Sequence, residues 1–160
     1  MATPKVCGIE TEYGILLSGA EVDPITASSL IVSAYKDSSW AFASFDASHE
    51  SPSRDIRGVN LDDYLDPVID TKMINTVLSN GARYYVDHAH PEYSSPECAT
   101  IYDAVLFDVA GEFILRESMN KANERLPQGV RIVIYKNNSD GKGNSYGCHE
   151  NYLIDRQLPF

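Results

Sequence analysis

Apolar and polar residues alternate over 6–15, which predicts a strand carrying Ile9, Thr11, Tyr13 and Ile15 on one face and Glu10 and Glu12 on the other. A weaker helical period covers 26–35, with Ser and Thr near its start, and predicts a short amphipathic helix. From about 36 to 70 no period is sustained; Ser, Asp, Pro and Arg crowd together with aromatics, and a long loop insert is expected there, of the kind that serves as a lid or a binding loop. Asn80-Gly81 between NTVLS and ARYYVD signals a tight hairpin, although Met73, Ile74, Val77 and Leu78 also fit one helical face. In the second strand of that hairpin Arg83, Tyr85 and Asp87 share a face, and the HAHPEYSSPEC that follows reads as turn-rich. Residues 100–126 hold Ile101, Val105, Val109 and Phe113 at helical spacing, with Thr100 and Asp103 near the start and Pro127 and Gly129 as the stop. A strand over 130–135 comes next. A polar, glycine-bearing loop then leads into a last strand, where His149 and Asn151 point one way and Cys148, Glu150 and Tyr152 the other.

Composition narrows the class. With 160 residues and 43% hydrophobic content the chain suffices for one ordinary core, as a single domain or a piece of a larger one. Apolar runs are too short for a membrane span, and the start lacks a secretory layout, so no membrane partner and a cytoplasmic location are expected. Three cysteines without a C-x-x-C pair argue against a disulfide framework and a zinc ribbon. A net charge of −10 disfavours nucleic acid as a partner, and an anionic nucleotide would need metal ions to bind.

Several residues could carry chemistry. Glu10 and Glu12, about 7 Å apart on one strand face, suit the ligation of a hard cation such as magnesium; they equally fit an amphipathic strand with glutamates in solvent. Tyr85, Asp87, His88, His90, Glu92 and Glu97 crowd a strand end and its turn, where an aspartate could act as base or nucleophile and a glutamate could hold metal, or where the same groups merely cap a turn. Alternation puts His88 and His90 on one face if they share a strand, which opens a zinc-hydrolase alternative that lacks a third soft ligand nearby. Asp140-Gly141-Lys142-Gly143 lacks the spacing of a phosphate-binding loop and reads as a turn. His149 and Asn151 offer an imidazole and an amide on one face.

The strings GIETEYG (8–14), NGARYYVDHAHPEYSSPEC (80–98) and YKNNSDGKGNSYGCHENYL (135–153) together resemble the Pup ligase/Pup deamidase family, in the same order and over nearly the whole chain. The insert with ESPSRDIRG and the VDHAHPEYSSPEC string are most like its deamidase/depupylase branch. The resemblance implies an α+β, glutamine-synthetase-like antiparallel β cradle backed by helices, with ATP and magnesium on the open face. Residues 1–160 would be the amino-terminal part of that catalytic domain. It implies Glu10, Tyr85, Glu92 and His149 as Mg2+ ligands and Asp87 as the catalytic aspartate. Arg83, Ser94, Ser95 and Asn151 fall at positions that touch the nucleotide, and Glu12 is left between ligand and supporting residue. The implied activity is hydrolysis of the carboxy-terminal glutamine amide of Pup and of Pup–lysine isopeptide bonds, with Pup, pupylated proteins and the carboxy-terminal remainder of the enzyme as partners. The alternatives are a Pup–protein ligase and a noncatalytic remnant that binds a partner.

Overall fold

The computed structural model describes residues 6–36, 41–44 and 75–157 except 144. In chain order the elements are β1 (Val6–Glu12), β2 (Gly14–Ser18), α1 (Pro24–Lys36), β3 (Ala41–Ser44), β4 (Asn75–Leu78), β5 (Arg83–Asp87), β6 (His90–Ser94), α2 (Ile101–Arg125), β7 (Arg131–Tyr135) and β8 (Cys148–Leu153). Six strands form one sheet in the order β3-β4-β5-β6-β1-β8, and β2 and β7 form a separate two-stranded ribbon. Every pairing is antiparallel, so the α+β architecture is as expected.

Local chemistry sets the element ends. Asp23 accepts the Thr26 backbone N–H at 2.9 Å and the Thr26 hydroxyl at 2.6 Å, while Pro24 takes the first helical position of α1, where its missing N–H costs nothing. Thr100 caps α2 by accepting the Asp103 N–H at 3.1 Å. Between β4 and β5, Gly81 has φ +86°, and the Ala82 N–H reaches back to the Asn80 side chain at 3.0 Å, so the Asn-Gly hairpin forms as expected.

The sheet has two chemically different faces. Thr11, Tyr84, Val86 and Tyr93 are buried on the face toward the helices, where Tyr84 meets Tyr35 edge-on and Ile31, Val32 and Leu115 complete the core. Polar contacts lock the layers. Tyr84 donates to Ser118 at 3.3 Å, Ser118 donates to the Ile31 carbonyl, and Ser28 donates to the Ala89 carbonyl at 2.7 Å. Asn123 of α2 clamps Ile132 of β7 through two bonds of 2.8 and 2.9 Å.

Three expectations are corrected. The strand over 6–15 is two strands: the chain leaves the large sheet at Tyr13, whose N–H bonds the Pro91 carbonyl at 3.0 Å, and Gly14 begins the ribbon beneath the Tyr146 ring. The expected loop at 36–70 contains β3, which pairs with β4, a distant partner that no local period announces; its other residues, except Lys36, lie outside those described. The turn-rich reading of HAHPEYSSPEC fails over His90–Ser94, which is β6, bonded between β5 and β1. Pro91 is tolerated as the second residue of that strand, near its start, where a missing donor is least disruptive. The helix expected over 100–126 forms as α2, and the apolar period that predicts it lies on its outer side: Ile101, Val105, Val109 and Phe113 are exposed, while the helix buries Ala104, Gly111, Leu115, Ser118 and Ala122.

Candidate active site

Register places the polar residues in ranks across the open face. Arg83, Ser94, Glu10 and His149 are successive cross-strand partners in one rank; Tyr85, Glu92 and Glu12 form the next; Asp87 and His90 form the third. Directly opposed residues of antiparallel strands point to the same side, so these groups share one face, with Asn151 opposite Gly8 beyond the first rank. Glu10 and Asp87 therefore look onto the same space, about 14 Å apart along the strand direction.

The first rank borders a cleft of about 410 Å³ lined in part by Gly8, Glu10, Ser94, Ser95 and Asn151. His149 Nδ1 lies 3.3 Å from Glu10 Oε2 in solvent-facing surroundings. The Arg83 Nε donates to Asn75 Oδ1 at 3.4 Å, and its guanidinium lies 5.2 Å from the Tyr85 ring centroid. Ser95 lies just past the end of β6; its hydroxyl accepts the Ile9 N–H at 2.9 Å and donates to the Pro96 carbonyl at 3.0 Å, so it braces the cleft wall.

The second and third ranks bring carboxylates together. Ligand atoms of Glu12, Asp87 and Glu92 lie within 4.8 Å of one another. Glu92 is buried and accepts the Tyr85 hydroxyl at 2.6 Å, and that hydroxyl also lies 3.2 Å from Ser94 Oγ. Burial pushes the Glu92 carboxyl up to about 7; the Tyr85 bond opposes this, and the charges of Asp87, Glu10 and Glu12 add to it. Burial, then the bond to Glu92, also raises the Tyr85 phenol well above its ordinary range, so Tyr85 stays a neutral donor. A cluster of this kind fits a divalent cation: like charges converge on one point, and the donors are hard oxygens. Glu12 and Glu92 would hold such an ion, with Asp87 at its edge and Glu10 and His149 able to bind beside them.

Two details were not legible in the sequence. Glu12 faces Glu92 across β1 and β6, accepts the Gly147 N–H at 2.9 Å and lies 3.4 Å from His90 Nδ1, so it is both part of the acid cluster and a tie to the loop before β8. The β1–β6 register is the signal that would have found it. His88 and His90 do not share a strand, because a two-residue loop separates β5 from β6; His88, at φ 53°, pairs with Asp87 at 3.1 Å, while His90 turns to Glu12. The zinc alternative loses its shared face on this geometry. Lys142 and Asp140 close a local turn, the Lys142 N–H donating to Asp140 Oδ1 at 2.7 Å.

Among the described residues no helix is long and apolar enough to cross a membrane. The chain is 47% identical over 165 residues to a depupylase of Acidothermus cellulolyticus, and 44% identical over 171 residues to a Pup deamidase/depupylase of Mycobacterium tuberculosis. Both matches cover 98% of this chain and 33% of the relative, so the chain spans about a third of the length of these curated relatives. Among solved structures it resembles, at a TM-score of 0.68 and 28% identity, one of a complex between the prokaryotic ubiquitin-like protein Pup and its ligase PafA, covering 98% of this chain and 26% of that one. A family model described as Pup-ligase protein matches residues 5–160, and the chain accordingly belongs to the Pup-ligase family.

Proposed function

We propose that this chain supplies the acid cluster and part of the nucleotide cleft of a cytoplasmic Pup deamidase/depupylase that uses ATP and Mg2+ to hydrolyse the terminal glutamine amide of Pup and the isopeptide bonds of pupylated proteins. The observation that carries the reading is the convergence of Glu12, Asp87 and Glu92 from three neighbouring strands within 4.8 Å. The hydrolase branch is favoured over the ligase because the relatives at 43–47% identity bear depupylase names, whereas the ligase-complex structure is 28% identical. The remainder of the relatives' length would complete the active site.

Asp87 ends β5 beside the solvent-exposed loop, its side chain about a third exposed, so its carboxylate is the acid of the cluster best placed to reach an incoming carbonyl. It attacks that carbonyl or takes a proton from the water that does. His88, 3.1 Å away, holds the Asp87 carboxylate at the mouth of the cluster. Tyr85 fixes Glu92, and Glu12 fixes the loop at Gly147, so neither acid must reorganise during the reaction. Bound Mg2+ would supply positive potential for the developing oxyanion and would offset the negative charge of the nucleotide.

The test uses a full-length chimera in which this chain replaces the matching third of the Acidothermus relative. Incubated with glutamine-ending Pup, ATP and Mg2+, it should convert the amide to the acid by mass spectrometry, and Asp87→Asn should abolish the conversion while nucleotide binding persists. Retained cleavage by Asp87→Asn would remove Asp87 from the chemistry, and a Pup–lysine conjugate as the product would establish the ligase.

A further inference from the structure

The apolar residues Ile101, Tyr102, Val105, Leu106, Val109 and Phe113 follow one side of α2 and are between 41% and 89% exposed. At 100° per residue they span an arc opposite that of Ala104, Gly111, Leu115, Ser118 and Ala122, which is already packed. A contiguous apolar stripe of this length on a solvent-facing helix marks an interaction surface. It adjoins a second incomplete surface. Cys98, just before α2, exchanges backbone bonds of 2.9 and 2.7 Å with Cys7, and Cys7 pairs on its other side with Tyr152 of β8. β8 is the edge of the sheet, has no outer strand among the described residues, and leaves Tyr152 58% and Leu153 67% exposed.

Relatives that match 98% of this chain carry twice as much polypeptide again, because the match covers 33% of each. We propose that the outer stripe of α2, continued by the free edge of β8, is the docking surface for the polypeptide that makes up the remaining two-thirds of those relatives, with α2 as the middle layer of the assembled domain. The proposal rests on the family relationship and on this surface, and needs none of the catalytic reading.

Val105→Cys is introduced into the 160-residue chain and into the chimera with the Acidothermus relative, and thiol labelling at that position is followed by peptide mass spectrometry. Labelling should be fast in the chain alone and on the order of a hundredfold slower in the chimera, while exposed Glu124→Cys labels alike in both. Val105→Asp combined with Leu106→Asp should leave the melting temperature of the 160-residue chain unchanged and lower that of the chimera, since only there would the charges be buried. Equal labelling of Val105→Cys in both proteins overturns the proposal. So does slow labelling in the chain alone: if concentration-dependent, a second copy covers the stripe, and if concentration-independent, the chain's own residues do. No reading of amide hydrolysis enters any of these outcomes.

Discussion

Glu92 concentrates the cost of the site in one residue. Its carboxyl holds a proton up to about 7 in the fold but gives it up near an ordinary 4.5 when unfolded. Between those values the folded state binds more protons, so stability falls as pH rises through the window and levels off above it. In EDTA, urea denaturation should show this slope, and Glu92→Gln, which cannot ionise, should flatten it. An unchanged slope in the variant would assign the dependence to another group. The sequence shows Glu92 in an acidic segment; it does not show the burial, because that follows from β6 lying inside the sheet between β5 and β1.

At the scale of elements, α2 tests how closely the helical layer meets the sheet. A methyl on Gly111 would lie 2.6 Å from Tyr93 Cδ1, so the helix approaches β6 to a distance only glycine permits. Alanine improves intrinsic helix propensity by about 1 kcal/mol, but overpacking costs about 1–3 kcal/mol. Gly111→Ala is therefore expected to lower stability in chemical denaturation, and to raise it in a Tyr93→Ala background, where the ring is gone. The same sign in both backgrounds would refute the steric account. Elements with local signatures were legible: the Asn80-Gly81 turn, the Thr100 cap and the Glu10/Glu12 alternation need only neighbouring residues. Elements made by distant pairing were not. β3 exists through β4, β6 hides behind a proline and two histidines, and the exit from β1 at Tyr13 depends on Pro91 and Tyr146. The exposed stripe of α2 illustrates the same limit, since periodicity gives a helix and an apolar side but not the direction in which that side faces.

For the molecule as a whole, four strands deliver one polar face, and a cation there should stabilise the folded chain. Mg2+ at a hundredfold over its dissociation constant would add about 2.7 kcal/mol. Scanning calorimetry should show the melting temperature rising with Mg2+ in the chain itself and rising less in Glu12→Gln; equal rises would exclude Glu12 from the ion's surroundings. That face also depends on where the outermost strand comes to rest. A methyl at Gly14 would lie 2.9 Å from the Tyr146 ring, and one at Gly147 2.9 Å from Glu12 Oε1, so two bare backbone positions let the segment before β8 approach β1 and β2 closely. Displacement of β8 by a single residue would turn Cys148 and Glu150 toward the acids in place of His149 and Asn151, exchanging an imidazole and an amide for a thiol and one more negative charge. Beside the bare backbone of Gly14 and Gly147, the register of one edge strand thus sets whether this face ends in neutral polar groups or in a further carboxylate.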